Sequence, residues 1–186
     1  MITCRLKGGL GNMMFQTSFI QYEGFMGNLK TGYWNIDQNL QHLNNDKVHN
    51  PKLNHATDYL KIFKNFNWPK IEKPPTNRKA VPFHYESFKV TDDTLYDGFF
   101  QSEKYFPNKT LILNLFEPSE FTNHQLIKYD NLLKGVTCSI HIRRGDYLLE
   151  KNSYFGMLSF PYYSNALKNL SFLGNFDKVY LFSDSK

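Results

Sequence analysis

The stretch Ile140-His141-Ile142-Arg143-Arg144-Gly145-Asp146-Tyr147 is the most informative part of the chain for its fold. It continues Val136-Thr137-Cys138-Ser139, so that apolar and polar side chains alternate with the period of a β-strand. The predicted strand over 136–142 ends in two arginines, and Gly145-Asp146 then provides a turn. The end of a strand beside a loop is where α/β proteins bind ligands.

The two arginines are a candidate diphosphate clamp. Only four of the 22 lysines and arginines are arginine, and two of those four are adjacent here. A guanidinium matches the geometry of phosphate oxygens in a way that an ammonium does not. A structural ion pair of Arg143 or Arg144 with Asp146 is the alternative. His141 is a candidate catalytic base by residue type, or a buried strand histidine that supports the loop.

A second strand-loop pattern opens the chain. Ile2, Cys4 and Leu6 alternate with polar residues and predict a strand that ends at Lys7. Gly8-Gly9-Leu10-Gly11-Asn12 follows, and a helix is predicted over 13–26. Its apolar positions are Phe15, Phe19, Tyr22 and Met26. The start of such a helix can hold an anion or present Asn12 to a ligand, although a tight turn accounts for the glycines equally well.

The chain after the arginine strand predicts a βαβ unit. Ser159 is a candidate N-cap for a helix from Phe160 to about Leu173. The apolar run Val179–Phe182 is typical of a buried parallel strand. Further helices are predicted over 57–66 and 120–133, and one or two short strands between 83 and 100. Aromatic residues in the segments 83–85 and 98–106 form either a platform for a sugar or part of the core.

Composition is that of a globular protein. The 186 residues are 41% hydrophobic and 21% charged, and no apolar run approaches the roughly 20 residues of a membrane helix. The first residues, Met1–Leu6, lead into a glycine-rich loop and do not have the continuous apolar stretch of a signal peptide. We therefore predict a cytoplasmic protein, with peripheral membrane association left open. The net charge of +5 comes from scattered lysines, so nucleic acid is not a predicted partner. Cys4 and Cys138 are predicted to be free thiols, and no metal ligand cluster accompanies them.

Four segments in order carry a resemblance to a known family. The stretch His141–Tyr147 resembles the HxRRGDY motif of the α-1,2-fucosyltransferases of glycosyltransferase family 11. The other three matching segments are Gly8–Asn12 followed by Met14-Phe15-Gln16, Gly98-Phe99-Phe100-Gln101-Ser102-Glu103-Lys104-Tyr105-Phe106, and Phe182-Ser183-Asp184.

This resemblance implies an α/β, GT-B-like architecture of two Rossmann-type domains, here 1–134 and 135–186. It also implies inverting transfer of fucose from GDP-fucose to the 2-hydroxyl of a galactose-containing glycan, with no metal and no other cofactor. The residues expected to bind GDP-fucose are Arg143, Arg144, Asp146, His141, Gly9, Gly11 and Asn12. The catalytic base stays open.

The sequence departs from the family pattern at two positions and in its extent. Met13 stands where the family has glutamine after the asparagine, and Ser185 stands where it has a second aspartate. The pattern also stops after one βαβ unit of the second domain. We therefore expect a C-terminally truncated relative with an incomplete nucleotide domain. The alternative function is an inactive remnant that acts as a binding module, with a partner chain completing the fold.

Overall fold

The structure, a computed structural model, describes residues 1–45, 62–66, 68–120, 127, 130–148, 156–170, 172 and 174–183. The strands are β1 (Ile2–Arg5), β2 (Thr31–Trp34), β3 (Asn77–Ala80), β4 (Thr94–Asp97), β5 (Thr137–Ile142) and β6 (Lys178–Ser183). The helices are α1 (Leu10–Gly27), α2 (Ile36–Asn45), α3 (Lys109–Leu115) and α4 (Phe160–Leu170). The predicted α/β class with parallel, Rossmann-like sheets is confirmed.

The described residues form two compact units, of which the first holds residues 1–45, 62–66 and 68–120. Its sheet has the strand order β2-β1-β4-β3, and every pairing is parallel. All four strands therefore end at the same edge of the sheet. Arg5 and Trp34 are paired at the ends of β1 and β2, and Asp97 ends β4. This edge carries charged and aromatic side chains, whereas Ile2 and Cys4 are fully buried.

Aromatic packing around α1 forms the centre of the first unit. Phe19 is 1% exposed and stacks on Phe100 with ring centres 4.0 Å apart. Its edge meets Tyr96 of β4 at 5.5 Å and Tyr105 at 5.9 Å. The segment that contains Phe100 and Tyr105 thus packs against α1 through Phe19. These ring contacts with the sheet and with the segment 98–106 fix the helix, although its sequence has little amphipathic character.

Burial on α1 differs from the predicted apolar face. Phe15 is 36% exposed and Met26 is 62% exposed. The buried side chains include Gln16 and Thr17. The reason is hydrogen bonding: Gln16 bonds the backbone of Lys7, and Thr17 accepts a bond of 2.9 Å from the Trp68 indole. A buried polar group with partners costs little.

The second unit contains the βαβ motif that the sequence predicts. β5 and β6 pair in parallel, with Ile140 opposite Leu181, and α4 lies between them in the chain. The prediction that β6 is buried was wrong, since Val179, Leu181 and Phe182 are 47%, 69% and 56% exposed. The described part of this sheet has only two strands, and α4 buries none of its residues. Among the described residues of β6, Val179, Leu181 and Phe182 are thus left largely uncovered, whereas Tyr180 is half-buried.

Several local predictions need correction or fall outside the described residues. Residues 62–66 are not helical, and the rest of the predicted helix over 57–66 is outside the description. Of the helix predicted over 120–133, residues 120 and 127 are helical as predicted, residues 130–133 form a 3-10 turn instead, and 121–126 and 128–129 lie outside the described residues. Of the one or two strands predicted between 83 and 100, the structure has β4, whereas β2 and β3 were not predicted. None of the helices in the described ranges has the length and hydropathy needed to span a lipid bilayer.

Candidate functional site

The arginine pair lies directly after β5 and lines a cavity of about 400 Å³ in the second unit. Residues that precede and begin α4 form another part of its wall, including Ser159 and Tyr163. The guanidinium carbon of Arg143 is 4.9 Å from the centre of the Tyr147 ring, a cation-π contact. Two guanidiniums and the start of a helix thus border a cavity in the size range of small-molecule sites.

The other two predicted site residues of this motif, His141 and Asp146, lie on either side of the arginines in the chain. His141 is exposed on β5 and lines a separate cavity of about 160 Å³ beside Tyr163 and Leu167. Asp146 belongs to the 3-10 turn Gly145–Leu148 that follows the arginines, and its side chain is outside the described residues. Asp184 of the last matching segment is also outside them.

The glycine loop of the first unit is fixed by polar side chains from two helices. The amide of Gln16 accepts from the Lys7 N–H and donates to the Lys7 carbonyl, both at 3.1 Å. The amide of Asn39 on α2 donates to the Gly8 carbonyl at 3.0 Å. Because Gln16 and Asn39 are both buried, these bonds are shielded from water and hold the loop in one conformation.

The glycines of this loop have different reasons to be glycine. Gly8 has φ of +79°, and a Cβ there would lie 2.4 Å from Nδ2 of Asn12, so a larger residue would displace that side chain. A Cβ on Gly9 or Gly11 would have no neighbour within 4 Å. Asn12 accepts a hydrogen bond of 2.7 Å from Gln101. Open space therefore surrounds the two predicted site glycines, and Asn12 is aligned by a residue of the 98–106 segment.

A charged cluster at the carboxyl edge of the first sheet was not predicted. The two oxygens of Asp97 accept from Lys7 Nζ at 2.6 Å and from Arg5 Nη1 at 3.1 Å. Burial raises the pKa of the Asp97 carboxyl, but hydrogen bonds and charge from Lys7 and Arg5 outweigh that effect and lower the pKa overall. Asp97 is therefore a stable anion at neutral pH. The sequence feature that could have indicated Asp97 is its position as the last residue of a short strand.

Two more features of the first unit bear on its chemistry. The segment 98–106 contributes Glu103, Lys104 and Phe106 to the wall of a cavity of about 620 Å³ next to α3. Cys4 is fully buried, and this burial raises the pKa of its thiol, which keeps it protonated and unreactive. Among the described residues, no group of three or more histidine, cysteine, aspartate or glutamate side chains is arranged to hold a metal ion.

Comparison with known proteins gives one relative of known activity. The chain is 26% identical to an alpha-1,2-colitosyltransferase of Escherichia coli over an alignment of 203 residues, which covers 98% of this chain and 68% of that protein. No protein-family model matches the sequence. No solved structure matches it either. The protein is thus similar to a glycosyltransferase along almost its whole length, and this similarity, together with the parallel α/β fold, supports transfer of a sugar from a donor to an acceptor.

Proposed function

We propose that this protein is an inverting glycosyltransferase that moves fucose from GDP-fucose to the 2-hydroxyl of a galactoside. The observation that carries the proposal is the adjacency of Arg143 and Arg144 on a cavity of about 400 Å³ at the carboxyl end of β5. Two guanidiniums suit the diphosphate of a nucleotide-sugar because each offers paired donors to phosphate oxygens. The similarity to a glycosyltransferase supports the same class of reaction.

In the proposed reaction the 2-hydroxyl oxygen of the galactoside forms a bond to the anomeric carbon and gives up its proton to a base, while the bond from that carbon to GDP breaks on the opposite side. Negative charge grows on the diphosphate as the glycosidic bond breaks. Arg143 and Arg144 stabilise this charge electrostatically, and such stabilisation is commonly the largest single contribution to catalysis. We assign Asp146 to orienting the arginines, and Gly9, Gly11 and Asn12 to close approach of backbone and amide to the donor. No metal or other cofactor is part of the proposal.

The test is transfer of radiolabelled fucose from GDP-fucose to lactose or lacto-N-biose by the purified chain. GDP-colitose in a parallel reaction tests the sugar named for the relative. Product with fucose supports the proposal as stated. If only GDP-colitose gives product, the protein is still a glycosyltransferase, but GDP-fucose is rejected as its donor. Absence of product from both donors, together with no calorimetric binding of GDP-fucose, would reject the assignment.

A second candidate function is a binding module without catalysis. The observation that favours it is apolar exposure in the second unit, where Leu181 is 69% exposed and Phe160 is 83% exposed. All of the buried hydrophobic side chains in the described residues belong to the first unit. A module of this kind would bind a partner polypeptide on the exposed surface. It would bind GDP-fucose without turnover, and the transfer assay separates it from the enzyme.

A further inference from the structure

The carboxyl edge of the first sheet carries a continuous cluster of charged and aromatic side chains, which we call the edge cluster: Arg5, Lys7, Asp97, Phe99 and Phe83. Lys7 is the centre of this cluster. Its Nζ atom bonds Asp97 at 2.6 Å and lies 4.6 Å from the centre of the Phe99 ring. The Phe83 ring stacks on Phe99 with centres 5.0 Å apart and planes 25° apart.

Phe83 occupies one end of the edge cluster and is open to solvent. It is 72% exposed, although one face of its ring is taken by Phe99. Its opposite face is therefore available to a ligand. A flat apolar surface bordered by polar groups suits a sugar ring, which presents C–H groups on one face and hydroxyls around its edge.

The charged end of the cluster offers both donors and acceptors. Each carboxylate oxygen of Asp97 accepts one described hydrogen bond, and a carboxylate oxygen has capacity for a second. Lys7 and Arg5 are 32% and 41% exposed at their side chains, so the ammonium of Lys7 and the outer guanidinium nitrogens of Arg5 can reach a ligand, whereas Arg5 Nε is buried. With two cations and one carboxylate, the group can donate to and accept from neutral hydroxyls.

We propose that the edge cluster binds a neutral galactoside disaccharide, with one ring on Phe83 and the hydroxyls of the other at Lys7 and Asp97. A ligand of two sugar rings fits the distance from the Phe83 ring to the Asp97 carboxylate, because Phe99 and Lys7 lie between these two groups. The identification of the ligand as a galactoside rests on the proposed function. Lys7 also places the cluster beside the glycine loop, since Lys7 is the residue that Gln16 holds at the start of that loop.

The experiment is saturation-transfer NMR with lactose and lacto-N-biose on the full 186-residue chain. The variants are Phe83→Ala and Phe83→Trp, with Phe25→Ala as the matched control. Phe25 is an exposed phenylalanine of the same unit, at 65% exposure on α1. Phe83→Ala is expected to raise Kd for the disaccharide at least tenfold. Phe83→Trp, which keeps an aromatic face, and Phe25→Ala are expected to bind like the unmodified protein.

The outcomes separate this site from the proposed function. Equal binding by Phe83→Ala and the unmodified chain, or no binding of either disaccharide to the unmodified chain, would overturn the site. If fucose is transferred and Phe83→Ala leaves KM for the acceptor unchanged, the site fails while the proposed function stands. If Phe83-dependent binding is found without any transfer, the site stands and the proposed function fails. Thermal unfolding of each variant is the control for folding, and Phe83→Ala is expected to unfold at the same temperature as the unmodified chain because Phe83 is 72% exposed.

Discussion

Gln16 hydrogen-bonds both backbone groups of Lys7, accepting from its N–H and donating to its carbonyl at 3.1 Å each. The side chain of Gln16 is fully buried, so these bonds replace water that cannot reach the start of the glycine loop. Gln16→Leu should destabilise the first unit by about 2 kcal/mol or more, because buried backbone groups lose their partners. Gln38→Leu, at an exposed position of α2, should change stability by less than about 0.5 kcal/mol.

Urea unfolding followed by tryptophan fluorescence measures this difference. Both tryptophans of the chain, Trp34 and Trp68, belong to the first unit, so the signal reports that unit directly. Equal midpoints for the two variants would show that the loop does not depend on the Gln16 amide.

The loop glycines should respond differently to alanine. Gly8→Ala should destabilise the protein by about 1 kcal/mol or more, because φ is +79° and the new Cβ would collide with Asn12. Gly11→Ala should be neutral or stabilise the fold by up to about 1 kcal/mol, because Gly11 lies in α1 with open space around it. Thermal unfolding tests both. If Gly11→Ala also weakens binding of GDP-fucose, the ligand approaches this glycine; unchanged affinity would remove Gly11 from the proposed donor site.

Phe19 is the aromatic centre of the first unit. Phe19→Ala should destabilise it by about 3–5 kcal/mol, because the substitution leaves a cavity among the rings of Phe100, Tyr96 and Tyr105. Phe25→Ala on the same helix is the control, since Phe25 is 65% exposed. Urea unfolding should show a large shift for the first variant and almost none for the second. A loss below about 1 kcal/mol for Phe19→Ala would mean that the aromatic cluster is loosely packed.

The Asp97 ion pairs should make stability depend on pH in the acid range. The pKa of Asp97 in the folded protein lies below its ordinary value of 3.8. Its contribution to stability is therefore complete above pH 3.8 and is lost as the pH falls through the lowered pKa. Asp97→Asn should destabilise the protein by about 0.5–1 kcal/mol at pH 7, as expected for a partly exposed ion pair, and this difference should shrink at acid pH.

Urea unfolding at pH 7 and pH 3 measures the change. Asp93→Asn is a charge-matched control at an exposed position nearby. A difference between Asp97→Asn and the unmodified protein that stays constant over this range would show that the carboxylate charge does not stabilise the fold.

Arg143→Lys and Arg144→Lys should each weaken binding of GDP-fucose by about 1.5–3 kcal/mol, because lysine keeps the charge and loses the paired donors. Titration calorimetry with GDP-fucose measures this loss. Arg78→Lys, an exposed arginine of β3 in the first unit, is the matched control and should bind normally. If both variants bind GDP-fucose with normal affinity, Arg143 and Arg144 have a structural role and do not bind the donor.

The sequence by itself determined those helices and strands that can be recognised from neighbouring residues in the chain. The alternation over 136–142 predicts β5, the strand-glycine-helix order predicts β1 and α1, and the segment 160–183 predicts α4 and β6. Within such segments each side chain's position follows from the period of the strand or helix, so neighbours in the chain suffice. The placement of Arg143 and Arg144 just after a strand followed from the same local information.

Only the tertiary structure decided which side chains meet. Asp97 bonds Lys7 and Arg5, which are 90 and 92 residues away in the chain, and no pattern along the sequence indicates that contact. Burial of Gln16 depends in the same way on the backbone of Lys7 across the loop. The exposure of Leu181 in an apolar strand likewise depends on which elements lie over it, a property of packing that periodicity does not contain.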